Sequence, residues 1–281
     1  MVGKIRLAKS PWINHSRHVT PYVTTRGLTT SPIPQGQRQF QIDFDFIDHR
    51  LLVSVSDGQT RTLPLLPMSV ADFYAQLMGL LSELGISVQI HELPNEIPDP
   101  IPFSQDRVHI AYDAECANRY WRVLQQTDRV FHAFRARFTG KCSPVHCFWG
   151  SNDLAVTRFT GRPAPAHPGG VPHLPDSVTR EAYSQEVSSA GFWPGGGPLD
   201  HAAFYSYAYP VPAGFGDAEA QPAEAHFHET LGEFLLPYDA VRTAVDPDAA
   251  LLAFLQSTYE AAADLAGWDR ARLEREPIPP I

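Results

Sequence analysis

Between residues 40 and 65 apolar and polar positions alternate with a period of two. Phe40, Ile42, Phe44 and Phe46 interleave with Gln41, Asp43 and Asp45, the pattern of a half-buried strand with an acidic outer face. A tight turn at Asp48-His49 leads to a strand over 51–56. Asp57-Gly58, a favoured hairpin dipeptide, then returns the chain over 60–65. A strand over 22–30 precedes this meander. The period then lengthens to that of a helix. Phe73, Leu77, Leu80, Leu81 and Leu84 form a stripe over 69–84, with Ser69 placed to cap it and Gly85 to stop it. Over 113–139, Ala117, Tyr120, Trp121, Leu124, Phe131, Phe134 and Phe138 share one side, and Gly140 ends the run. A third helix opens at Asp246-Pro247, a cap with proline at the first helical position. It buries Leu251, Leu252, Leu255, Ala262 and Leu265 before Gly267.

Strands near 88–90, 183–192, 203–209 and 233–242 and a hairpin over 145–160 fill most of the remainder. A proline-rich connection (Pro94, Pro98, Pro100, Pro102) separates the first two helices. Strands follow one another through short turns more often than through helices. This predicts an α+β fold, two meander-like halves of largely antiparallel sheet packed against about three helices, rather than a doubly wound parallel sheet. The chain reads as one domain over 1–281, with sub-halves at 1–110 and 111–281. Proline and glycine mark loops near 161–176, 194–200 and 211–225, and a tail follows over 270–281.

Composition narrows the partners. A formal charge of −9 argues against a general nucleic-acid binder. The arginines at 119, 122, 129, 135 and 137 in the second helix read as a solvated face paired with acids. No apolar run approaches the roughly 20 residues of a membrane span. Met1 to Lys9 is basic but no apolar stretch follows it, so the expected compartment is the cytoplasm. Cys116, Cys142 and Cys147 form no CxxC, which argues against a disulfide framework or a zinc knuckle.

The hairpin carries His146, Trp149, Asp153 and Arg158 among apolar residues. With Ser151-Asn152 as a two-residue turn, Arg158 pairs with Val145 and shares a face with Trp149, Leu154 and Val156. A guanidinium there needs an acid or an anionic ligand, and Glu186 on the following strand is the expected partner. His146 is a candidate general base, although no nucleophile motif accompanies it. Apolar surroundings count against Cys142 and Cys147 as nucleophiles. His15 and His18, three apart, are weak candidates for metal ligation, as are His226 and His228; a third ligand is needed, and Asp43, Asp45 and Glu229 are candidates by residue type only. No phosphate-loop or dinucleotide signature occurs, and the identity of any cofactor is left unknown.

Several segments together resemble a family of bacterial proteins known only as a domain of unknown function. They are 2–8 (VGKIRLA), Asn14-His15 with His18, 25–34 (TRGLTTSPIP), 42–49 (IDFDFIDH), 142–161, 189–195 (SAGFWPG) and 233–242 (EFLLPYDAVR). The likeness spans nearly the whole chain and implies no activity. Ser16, Arg17 and Gln185 depart from its pattern. The leading functional expectation is binding of a small polar or anionic molecule, with hydrolysis as the accompanying chemistry. Arg158 and Arg26 would hold charge, Trp149 and Asp153 line the pocket, and His146, His18 and Glu186 exchange protons or orient groups. The alternatives are a non-catalytic interaction protein, with a homo-oligomer left open, and a metal-dependent enzyme using His15 and His18.

Overall fold

The computed structural model describes residues 1–275 apart from 96, 98, 172, 173 and 198. Pro98 and the end of the expected tail therefore lie outside the described residues. The chain divides into two compact units. The first holds Met1–Gln125, Cys147–Gly150 and Val171–Leu174, and the second holds Gln126–His146, Ser151–Gly170 and Pro175–Ile281.

In the first unit, helix α1 (Val2–Lys9) precedes strands β1 (Tyr22–Val23), β2 (Gly27–Thr29), β3 (Ile33–Gln35), β4 (Arg38–Asp45), β5 (Arg50–Val55) and β6 (Thr60–Pro64). They form an antiparallel sheet in the order β1-β2-β4-β5-β6, with β3 also on β4. The period of two buries Phe40 and Ile42 with Leu51 and Val53. Ile5 of α1 and Leu77 and Leu81 of α2 (Val70–Glu83) belong to the same core. Ser69 caps α2, accepting from the Asp72 amide at 3.0 Å and donating to the Asp72 carboxylate at 2.7 Å.

Asp45 departs from the expected acidic outer face. It is buried, and one oxygen accepts from the amides of Ile47 and Asp48, both at 3.0 Å, while the other accepts from Arg26 at 2.8 Å. The residue shapes the β4–β5 turn. The expected strand over 22–30 breaks at Arg26 into β1 and β2. Residues 88–90 form no strand, although Val88 is buried in the core.

Helix α3 (Ala114–Ala136) carries the chain from one unit into the next. After β7 (His146–Phe148) come β8 (Asp153–Pro163), α4 (Asp176–Ala182), β9 (Gln185–Trp193), β10 (Ala203–Tyr209), β11 (His226–His228) and β12 (Glu233–Pro237). Helices α5 (Tyr238–Arg242), α6 (Pro247–Leu265) and α7 (Arg270–Leu273) follow. The second sheet is antiparallel, ordered β11-β12-β10-β9-β8. One face is apolar. Phe204 lies 5.3 Å from Phe192 across the β9–β10 pair and 6.5 Å from Phe131 of α3, and α6 buries Leu251, Phe254 and Leu255.

The strand expected over 233–242 stops at Pro237, where α5 begins. The molecule therefore has more than about three helices. The additional ones, α1, α4, α5 and α7, are too short to leave a clear stripe. The hairpin differs as well. Its turn occupies 149–152 rather than two residues, and Arg158 pairs with Cys142 instead of Val145. Ser143 stabilises this register, its amide donating to the Thr157 carbonyl and its hydroxyl accepting from the Thr157 amide, both at 2.8 Å.

Candidate functional site

The other face of the second sheet is mixed, with Ala203, Leu235 and Trp193 in a small apolar cluster beside a set of polar groups. Tyr205 of β10 lies opposite Gly191 of β9, and a side chain at 191 would overlap the phenol ring. The glycine is thus a shelf across which Tyr205 reaches Asp153. The Tyr205 hydroxyl donates to one Asp153 oxygen at 2.5 Å, and the Ser151 hydroxyl donates to the other at 2.5 Å. Thr157 and Ser189 share a hydrogen bond of 2.8 Å across β8 and β9, and the hydroxyls of Tyr183 and Tyr207 share one of 2.9 Å. Glu233 opens β12, half-buried. Its carboxyl makes no hydrogen bond or ion pair with a side chain among the described residues.

These groups perturb one another. Burial raises Asp153 above the usual carboxylate range even though Ser151 and Tyr205 donate to it. Burial and then the Asp153 charge push Glu233 up to about 7. Burial also lifts the phenols of Tyr205 and Tyr207 well above their ordinary range, and the Asp153 charge adds to both shifts. None of the leading influences on these groups is a cation, so the cluster favours keeping a proton over ionising fully.

Glu233 makes stability pH-dependent with a definite sign. Its folded pKa lies above its ordinary 4.5, so the native state holds the extra proton between about pH 4.5 and 7. The stability that Glu233 contributes is complete below pH 4.5 and is lost as the pH rises through 7. The full shift corresponds to ~3 kcal/mol, or ~2 kcal/mol after screening of a half-buried group. Urea denaturation at pH 5 and pH 8.5 should therefore show Glu233→Gln losing about 2 kcal/mol less than the wild type over that interval.

The remaining sequence candidates occupy separate environments. In the second unit Arg158 lies on the apolar face. Its guanidinium is 3.4 Å from the ring centre of Phe134, 4.2 Å from Tyr259 and 5.1 Å from Phe138. It donates to the Phe134 carbonyl, and burial lowers its pKa to about 10. The expected Arg158–Glu186 pair is not formed. Glu186 binds Arg162 at 2.6 Å, and Arg162 also donates to the carbonyls of Ala266 and Gly267 at the end of α6. Glu186 does line a cleft of about 210 Å³, together with Tyr209, Pro210 and Trp268. His146 is buried in β7.

In the first unit Arg26 is committed to Asp45 and Asp48, both at 2.8 Å. Trp149 packs where a β-carbon on Gly3 of α1 would stand. His18 is buried, with its Nδ1 3.2 Å from the Ile13 amide nitrogen and its ring 4.7 Å from that of Trp12. It belongs to the segment Asn14–Val19, where His15 and Ser16 both have left-handed backbones (φ 60° and 52°). Such a conformation costs roughly 1–2 kcal/mol per residue, so the surroundings must hold it. No group of three or more His, Cys, Asp or Glu side chains able to hold a metal occurs among the described residues. His15 and His18 therefore gain no third ligand there.

The sequence pointed to Asp153, and to Tyr205 only as one of several strand aromatics, without joining the two or including Gly191 and Glu233. A glycine inside a strand, just before Phe192 and Trp193, was the available signal. Segments 142–161, 189–195 and 233–242, which carry the family resemblance, supply Asp153, Gly191 with Ser189, and Glu233 respectively.

Fold and site define an α+β protein with two antiparallel sheets, the second bearing a carboxyl–phenol cluster on one face. No helix among the described residues is long and apolar enough to cross a membrane. The chain belongs to the family of unknown function DUF5996, whose profile matches residues 1–275. No curated protein and no solved structure matches it.

Proposed function

We propose that the protein binds a small polar molecule over the carboxyl–phenol cluster, with Glu233 exchanging a proton with it. The observation that carries this reading is Glu233 itself: half-buried, titrating near neutrality, without a described side-chain partner, and beside the buried Asp153 carboxyl. A carboxyl with a pKa near 7 serves as donor or acceptor, as general acid–base work requires. The surrounding hydroxyls supply the hydrogen-bonding groups that a hydroxyl- or amide-bearing ligand needs. Hydrolysis would use Glu233 to draw a proton from a water held against that ligand. An anion fits less well. It would meet two carboxyls on which no cation among the described residues acts, and Arg158 lies on the opposite face of the sheet.

Thermal shift against neutral polyols and amides, and against carboxylates and phosphates, tests this at pH 6 and pH 8. The expected result is a rise in Tm with a neutral ligand that is larger at one pH than the other. Glu233→Gln should remove that difference, and Asp153→Asn should weaken binding at both. A carboxylate or phosphate as the best ligand, or unchanged binding in both variants, would overturn the reading. The internal partners of Arg26, Asp153 and Glu186 support the rival reading of a non-catalytic interaction protein. That reading predicts no ligand in the screen and an oligomer by native mass spectrometry.

A further inference from the structure

The observed hairpin register places Cys142 directly across from Arg158 in an antiparallel bridge. Residues so paired share a face of the sheet, with β-carbons roughly 5 Å apart. The Arg158 side chain is 99 % buried (1 % exposed), yet its Nε and Nη1 have no hydrogen-bond partner among the described residues and it makes no ion pair with them. Buried guanidinium N–H groups without acceptors are costly and favour any anion that can form beside them. Aromatic rings offset only part of that cost.

The leading ionisable influences on Arg158 are Tyr259, Cys142, Glu274 and Arg137. The Tyr259 phenol is pushed further up by its own burial, which keeps it neutral. Both carboxylate oxygens of Glu274 are engaged by Arg270, at 2.6 and 3.3 Å. Arg137 repels. The thiol of Cys142 is therefore the group best able to supply the missing anion. It is also partly exposed, whereas Cys147 is buried.

We propose that Cys142 is a reactive thiolate, paired in charge with Arg158, and a site of modification by hydroperoxides. The sulfur attacks the terminal peroxide oxygen. An S–O bond forms as the O–O bond breaks, the sulfur loses two electrons, and the departing alkoxide takes a proton from water. The product is a cysteine sulfenic acid. The apolar composition of this hairpin argued against such a thiol; the pairing with Arg158 reverses that argument.

The test is iodoacetamide alkylation of the intact protein across pH 5–10, read for each cysteine by peptide mass spectrometry with glutathione as reference. Cys142 should titrate at least one unit below the ordinary value of about 8.5. In Arg158→Met, which fills the same space without charge, its midpoint should rise by at least one unit. Brief exposure to cumene hydroperoxide with dimedone present should label Cys142 at least tenfold faster in the wild type than in Arg158→Met. A wild-type midpoint at or above that of glutathione overturns the proposal without any variant. Equal midpoints in wild type and a folded Arg158→Met overturn the role of Arg158.

Discussion

Arg158→Ala should cost the second unit about 4 kcal/mol, read as a shift in its urea midpoint. The side chain is fully buried on the apolar face, with its guanidinium stacked on Phe134 and close to Tyr259 and Phe138. Truncation to alanine leaves a cavity among three rings, which for large aliphatic side chains costs ~2–5 kcal/mol. It also removes the cation–π contacts and the bond to the Phe134 carbonyl. Arg158→Met separates volume from charge. Methionine refills the space, and the desolvation of a guanidinium with two unbonded nitrogens disappears, so its cost should stay below ~1.5 kcal/mol. If methionine proved as damaging as alanine, Arg158 would hold the fold through its charge rather than its bulk.

The contrast between these variants bears on what the sequence could reveal. That Arg158 lies on an apolar face followed from alternation along β8 alone. Its partner did not, because the partner depends on the turn. A two-residue loop sets one register; the four-residue turn over 149–152, with Ser143 taking a ladder position through its hydroxyl, sets another. Shifting a pairing register redistributes every cross-strand neighbour. That is how Cys142 arrived opposite a cation; Glu186 is set by a different pairing, the β8–β9 register, which puts Ser188 against Arg158 and leaves Glu186 to Arg162.

Long periodic elements were legible for the opposite reason. Helices α2, α3 and α6 carry apolar stripes several turns long, and α2 and α6 have side-chain caps at Ser69 and Asp246. The β4–β6 meander has turns whose residues dictate them. Residues 233–242 misled because Glu-Phe-Leu-Leu-Pro and Tyr-Asp-Ala-Val-Arg are each too short for the period to change visibly, so a strand and a helical turn read as one strand. The carboxyl–phenol cluster was the least legible part. Asp153, Tyr205 and Glu233 lie on different strands, and only the sheet order β12-β10-β9-β8 brings them onto one face.

Gly191→Val should cost about 3 kcal/mol and dismantle that cluster. A β-carbon at 191 falls within the Tyr205 phenol ring, so the ring must leave the shelf rather than shift by a few tenths of an ångström. Overpacking of this kind costs ~1–3 kcal/mol. The displaced hydroxyl also abandons Asp153, whose buried carboxyl then keeps only Ser151 as a side-chain donor among the described residues. Losing one donor to a buried carboxyl adds ~1–3 kcal/mol. Tyr205→Phe isolates the second effect and should cost about 1 kcal/mol, because the ring stays in place. The decisive comparison is the double-mutant cycle with Tyr205→Ala. Without the ring, valine at 191 meets no obstruction and suits a strand better than glycine, so its cost should fall below ~0.5 kcal/mol. The coupling of more than 2 kcal/mol implied between 191 and 205 belongs to the shelf contact. Additive costs would mean that Gly191 is needed for its own backbone and that Tyr205 reaches Asp153 by another route.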